Sequence, residues 1–232
     1  MLSPRRQVCI ITFIGPVGVG KSTYIRLLQD YFKSKNIRTV QTFINSNHAL
    51  TYILSKFLIA LGLGERVSCN KDAAIHPRRN IIRALFPLWC FLDMLSITIK
   101  FFFTVYIPFY LGFTPLIEEG LIMTLQSYSM SFPYFLKTKP RVLPVLPSLL
   151  GWIMSKNHVN FVLDARDEEL SQRRRHRSYR QDELPEYIMM QRKWMKRLDF
   201  GDTLFIDTTS EPIVGVQKKI VTAVENHMYI RN

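Results

Sequence analysis

A glycine-rich loop near the N-terminus constrains the fold of this chain more than any other feature. Residues 15–22 read G-P-V-G-V-G-K-S and match the pattern G-x-x-x-x-G-K-[ST]. The apolar run Val8–Ile14 comes before the loop, and an amphipathic pattern over Lys21–Ser34 follows it. The amides of such a loop and of the following helix N-terminus point at an anion, so the pattern predicts a phosphate-binding site. A chance glycine turn is the alternative, and the flanking strand and helix argue against it.

The residues of the loop have separate predicted roles. Lys21 would reach the β- and γ-phosphates of ATP and take part in catalysis, and the Ser22 hydroxyl would bind Mg²⁺. The predicted ATP-binding residues are Gly15, Pro16, Val17, Gly18, Val19, Gly20, Lys21, Ser22 and Thr23.

The rest of the chain alternates short apolar runs with helical patterns. Val8–Ile14, Thr39–Ile44, Thr114–Ile117, Val159–Leu163 and Thr203–Ile206 are the five predicted strands. Strands that alternate with helices form a parallel sheet with right-handed crossovers. We therefore predict a three-layer α/β fold, in which helices flank a five-stranded parallel sheet, and a single domain over residues 1–232.

Acidic residues stand where three of the predicted strands end. In open α/β sheets, ligands bind outside the carboxyl ends of the strands. We predict that Glu118 binds Mg²⁺ or accepts the proton of a substrate hydroxyl, and that Glu119 belongs to the acceptor site. Asp164 and Asp207 occupy similar positions, where acids more often organise turns or helix caps.

The chain is strongly basic, with 31 Lys and Arg against 18 Asp and Glu and a net charge of +13. Such an excess implies an anionic partner. Six of the eight residues from 173 to 180 are Arg or His, and this local cluster fits nucleotide phosphates better than nucleic acid. We predict a mobile Arg-rich lid at about 166–182, the alternative being a solvated charged face. Three cysteines without metal-site spacing indicate a reduced, cytoplasmic protein.

A long apolar helical region extends from about residue 78 to 110. Asp93 and Lys100 interrupt it, as do Pro87 and Pro108, whereas a membrane-spanning helix needs about 20 clean apolar residues. The interruptions favour a pair of core helices, with a membrane-surface or partner contact as the alternative. We expect no stable membrane insertion, and a homodimer through this region is possible.

The order of these motifs resembles thymidylate kinase and related nucleoside-monophosphate kinases, and it implies their P-loop NTPase fold. The likeness covers most of the chain and is strongest in G-P-V-G-V-G-K-S-T, F-V-L-D-A-R-D-E-E-L-S-Q-R-R-R-H-R and L-F-I-D-T-T-S-E. It implies transfer of the ATP γ-phosphoryl group to a nucleoside monophosphate such as dTMP. It also implies that Arg173 and Arg177 contact ATP phosphates or stack near the base, and that Arg79 or Arg83 binds the acceptor.

The sequence departs from that family at the acceptor site. Glu118-Glu119-Gly120 stands where the family usually has Asp-Arg followed by Tyr or His, and Val17 replaces a charged loop residue. Two alternatives therefore stay open. One is a kinase of an unphosphorylated nucleoside or sugar, with Glu118 as general base, and the other is a nucleotide-dependent switch that transfers no phosphoryl group.

Overall fold

A parallel sheet forms the centre of the protein in a computed structural model that describes residues 8–45, 49–65, 76–77, 79–131, 145–176, 185–196 and 202–229. The strands within these residues are β1 (Ile10–Ile14), β2 (Thr39–Phe43), β3 (Gly64–Glu65), β4 (His76–Pro77), β5 (Thr114–Glu118), β6 (His158–Asp164) and β7 (Thr203–Asp207). Five of them pair in the order β2-β5-β1-β6-β7, and all four pairings are parallel. The predicted five-stranded parallel sheet is confirmed, and β3 and β4 form a separate short antiparallel pair.

Helices cover both faces of this sheet. They are α1 (Lys21–Ser34), α2 (Leu50–Leu58), α3 (Arg79–Ala84), α4 (Phe86–Phe101), α5 (Ile107–Tyr110), α6 (Gly120–Ser131), α7 (Val145–Met154), α8 (Asp167–His176), α9 (Pro185–Met195) and α10 (Ile213–Tyr229). Successive strand residues point to opposite faces. Ile11 accordingly packs in the core cluster of α1 and α10, and Ile10 in that of α4 and α6. This arrangement is the predicted three-layer architecture.

The apolar region predicted at about 78–110 contains several helical segments, and Pro87 stands at the start of one of them. Helix α3 ends at Ala84 and α4 begins at Phe86, so Pro87 lies in the first turn, where its missing N–H needs no partner. A π-helical turn, Phe102–Tyr106, then joins α4 to α5, and Pro108 lies in the first turn of α5. Pro87 therefore starts a new helix, whereas Pro108 lies within the continuous helical run Phe86–Tyr110.

One helical run in the described part of the chain is long and apolar enough to cross a membrane. Phe86–Tyr110 has 25 residues, and only 39% of its most apolar window, with a mean hydropathy of 1.7, is buried. Cys90, Met94, Ile97 and Phe101 pack into the core, as a core helix requires. The opposite side of the run is exposed, so the run has the burial of a core helix on one side only.

Candidate active site

The phosphate loop connects β1 to α1 and touches the neighbouring strand β6. Gly15 has a φ of +150°, and a Cβ atom on it would lie 2.2 Å from the carbonyl oxygen of Leu163. Gly18 has a φ of +91°, and a Cβ atom there would lie 3.2 Å from Cγ of Arg174. A side chain at Gly15 would collide with backbone, so the sequence motif is matched by a backbone that requires glycine.

Lys21 holds its charge against the start of the phosphate loop. The side chain is only 5% exposed, and Nζ donates hydrogen bonds to the carbonyl oxygens of Gly15 at 2.7 Å and Pro16 at 3.2 Å. The same Nζ lies 3.5 Å from Oε1 of Glu119. The structure thus brings together the predicted catalytic lysine and the predicted acceptor-site acid.

Ser22 and Glu118 meet at the edge of the sheet where β1 and β5 end. The Ser22 hydroxyl donates a hydrogen bond of 2.7 Å to Oε1 of Glu118. No group of three or more His, Cys, Asp or Glu side chains in the described ranges could hold a metal ion by itself. Mg²⁺ typically uses one or two carboxylates together with substrate phosphates and water. A hydroxyl and a carboxylate oxygen side by side fit that kind of site.

Glu119 occupies a strained turn between β5 and α6. Its φ is +70°, and its amide donates to the carbonyl oxygen of Phe13 at 2.9 Å. Besides facing Lys21, its carboxylate accepts a hydrogen bond of 2.6 Å from Nδ2 of Asn45, just after β2. Burial raises the pKa of Glu119, Lys21 opposes this effect, and Glu118 adds to it. Asn45 has no motif around it, so sequence reasoning missed this contact.

Arg173 ties α8 to the end of β7. Its guanidinium donates to Thr208 twice, to Oγ1 at 3.0 Å and to the carbonyl oxygen at 2.7 Å. The Thr208 hydroxyl lies 3.4 Å from the carbonyl oxygen of Val19, so the network reaches the phosphate loop. Contact of Arg173 with nucleotide stays a prediction. Arg177 and residues 178–182 of the predicted lid lie outside the described residues.

Arg174 lies in the basic segment, and the sequence did not predict that its side chain would be buried. It is 2% exposed, its Nε donates to the carbonyl oxygen of Leu170 at 3.2 Å, and its side chain packs over Gly18. The only sequence signal is its spacing of four from Leu170, which places both residues on one side of a helix. The first part of the predicted lid is therefore a helix that packs on the phosphate loop.

The remaining predicted residues fall in two groups. Asp164 accepts from the amide of Ala165 and pairs with Arg192 at 2.9 Å, while Asp207 accepts from the amide of Thr209 at 2.8 Å. Both acids thus organise turns at strand ends. Arg79 and Arg83 belong to α3, and their side chains lie outside the described part of the chain.

Comparison with solved structures identifies the fold of the chain that contains this site. Thymidylate kinase from Ehrlichia chaffeensis has 14% identity and a TM-score of 0.52, over 94% of this chain and 98% of that chain. The chain has the fold of a thymidylate kinase. The Candida albicans thymidylate kinase agrees, with 14% identity and a TM-score of 0.54 over 95% of this chain and 94% of that one.

At this identity the likeness to thymidylate kinases concerns the fold. No protein-family model matches the sequence, and comparison with curated proteins gave no significant match. The predicted P-loop NTPase fold is confirmed, and the chemistry has to be argued from the residues.

Proposed function

We propose that this protein is an ATP-dependent kinase that transfers the γ-phosphoryl group of ATP to a nucleoside monophosphate such as dTMP. The observation that carries the proposal is the hydrogen bond from Ser22 to Glu118, which joins the phosphate loop to the acid at the end of β5. Enzymes that transfer phosphoryl groups place a phosphate loop beside a carboxylate in this way. The thymidylate kinase fold supports the same reading.

Each residue of the site would have a separate role in phosphoryl transfer. Lys21 would exchange its hydrogen bonds to the loop carbonyls for bonds to the β- and γ-phosphates. Ser22 and Glu118 would hold Mg²⁺, which neutralises charge on the phosphoryl group in transfer. Arg173 and Arg177 would supply further positive charge from the nucleotide side. The chemistry then rests on positioning and on stabilisation of charge.

The acceptor site has a feature that favours a second candidate function. Glu119 places a largely buried carboxylate beside Lys21, and we predict that it belongs to the acceptor site. Two anions held close together repel each other, unless Arg79 or Arg83 neutralises the acceptor. A neutral hydroxyl would meet no such repulsion, and Glu118 could take its proton. Phosphorylation of a nucleoside or a sugar is therefore the second candidate.

An acceptor panel tests both candidates. The full chain would be given ATP, Mg²⁺ and one compound at a time from nucleoside monophosphates, nucleosides and sugars, while release of ADP is followed. Lys21→Ala serves as the inactive variant, and Lys33→Ala on the exposed side of α1 as the matched control. Acceptor-dependent release confined to monophosphates supports the first candidate, and release confined to unphosphorylated acceptors supports the second. Release that no acceptor stimulates contradicts both and indicates a nucleotide-dependent switch.

Glu119→Gln separates the two candidates further. With a monophosphate acceptor, removal of the negative charge should lower KM several-fold, because the repulsion disappears. With a neutral acceptor, KM should stay the same or rise.

A further inference from the structure

Helix α2 has a largely apolar exposed side. Its buried side carries Leu58 together with two polar residues: Thr51 donates to Oδ1 of the buried Asp93 at 2.9 Å, and Ser55 donates to the Thr51 carbonyl at 2.8 Å. Its exposed side carries Tyr52, Ile53 and Phe57, of which Phe57 is 58% exposed, and Leu61 in the turn after it is exposed as well. A helix on the surface of a water-soluble domain turns its polar side to water. The outer side of α2 is therefore suited to an apolar environment.

Helix α4 lies against α2 and exposes a second apolar stripe. The two helices are joined by the Thr51–Asp93 hydrogen bond and by the amide of Leu50, which donates to Oγ of Ser96 at 3.2 Å. The exposed residues of α4 and of the turn after it recur every three or four positions: Leu88, Phe91, Leu95, Ile99 and Phe102. We call this stripe, together with the exposed side of α2, the α2–α4 face. Exposed apolar residues in such number mark an interaction site.

The charge on the α2–α4 face is positive. Lys56, on the exposed side of α2, lies 5.2 Å from the ring centroid of Tyr52. The sequence has no acid at 50–63, and the single acid at 86–110 is Asp93, which is fully buried. A second copy of this face would bring lysine towards lysine, whereas an anionic surface would complement it. Lysine stems can also lie along apolar surface while their ammonium groups reach outward.

We propose that the α2–α4 face binds the surface of a membrane that contains anionic lipids. The aromatic side chains Phe57 and Phe91 would enter the boundary between headgroups and acyl chains, and Lys56 would stay at the headgroups. The helices would lie in the plane of the interface and would not cross the bilayer. The inner side of α4 packs on the sheet, and crossing would expose Asp93 to lipid. The inference concerns where the protein acts and is independent of the proposed reaction.

Binding of the full chain to lipid vesicles tests this proposal. Vesicles of phosphatidylcholine alone and of phosphatidylcholine mixed with phosphatidylglycerol would be separated from free protein by flotation. The test variant is the double substitution Phe57→Gln and Phe91→Gln. The matched control is Ile213→Gln with Val214→Gln on α10, where Val214 is 73% exposed. Circular dichroism would verify that both variants keep the fold, and light scattering would give their size in solution.

The proposal predicts binding to the mixed vesicles that exceeds binding to neutral ones and weakens with salt. The Phe57/Phe91 variant should bind at least about tenfold more weakly, and the α10 control should bind like the wild type. Failure of the wild type to bind mixed vesicles overturns the proposal, as does equal binding by both variants. A dimer that the Phe57/Phe91 variant loses, without vesicle binding by the wild type, would assign the face to a second copy of the chain.

Discussion

Substitution of Gly15 by alanine tests how closely the phosphate loop packs on the sheet. The new Cβ would lie 2.2 Å from the Leu163 carbonyl oxygen, so either the loop or β6 has to move. Overpacking of a tight site costs about 1–3 kcal/mol, and a strained positive φ costs about 1–3 kcal/mol more. We expect the free energy of unfolding to fall by about 2–6 kcal/mol. For a chain of this size, that loss lowers Tm by roughly 4–24 °C.

Two other glycines provide comparisons for this prediction. Each variant would be unfolded by heat without nucleotide, and circular dichroism would monitor the unfolding. A Cβ on Gly18 would meet the side chain of Arg174, which can move, so Gly18→Ala should cost only the strain of about 1–3 kcal/mol. Gly151 in α7 has nothing within 4 Å of a built Cβ, so Gly151→Ala should stabilise by about 0.5–1 kcal/mol. A Gly15→Ala protein that unfolds like Gly151→Ala would refute the described contact between loop and strand.

Three further predictions follow from buried polar groups. Arg174→Ala should raise the Kd for ATP roughly tenfold in calorimetry, because the phosphate loop loses its packing, while Arg175→Ala on the exposed side of α8 should leave it unchanged. Tyr128→Phe should lower the free energy of unfolding in urea by about 1.5–3 kcal/mol, because buried Asp93 loses a hydroxyl donor; an unchanged value would contradict the described bond. Burial raises the pKa of the Glu119 carboxyl above its ordinary value, so the folded state holds this proton to higher pH than the unfolded state. The contribution of Glu119 to the free energy of unfolding therefore falls as the pH rises from its unfolded pKa through its folded pKa. The midpoint of urea unfolding of Glu119→Gln should not show this fall.

The parts of the structure that short sequence patterns determine could be predicted. The apolar runs of β1, β5 and β6 are buried on both sides, so their composition alone indicates strands of a parallel sheet. The glycines of the phosphate loop indicate its backbone conformation, and the amphipathic pattern after the loop predicts the helix. The position of Glu118 at the end of β5 could be predicted because the end of a buried strand is a local feature.

The contacts that depend on strand order and packing could not be predicted in the same way. Lys21 meets Glu119 because β5 pairs with β1, although the two residues are far apart in sequence. Arg174 is hidden within a run of basic residues that resembles a solvated face. The exposure of Tyr52, Ile53 and Phe57 on α2 cannot be predicted from periodicity, because the pattern separates two sides and does not say which one faces the core.

The most direct test of the account is to identify the product made from ATP and an acceptor. Wild-type protein, ATP, Mg²⁺ and dTMP or another nucleoside monophosphate would be incubated and analysed by mass spectrometry, with Lys21→Ala in parallel. A kinase would give ADP together with an acceptor that has gained one phosphoryl group, and Lys21→Ala would give neither product. ADP and free phosphate, with every acceptor in the panel unchanged, would contradict the claim that this site is a kinase.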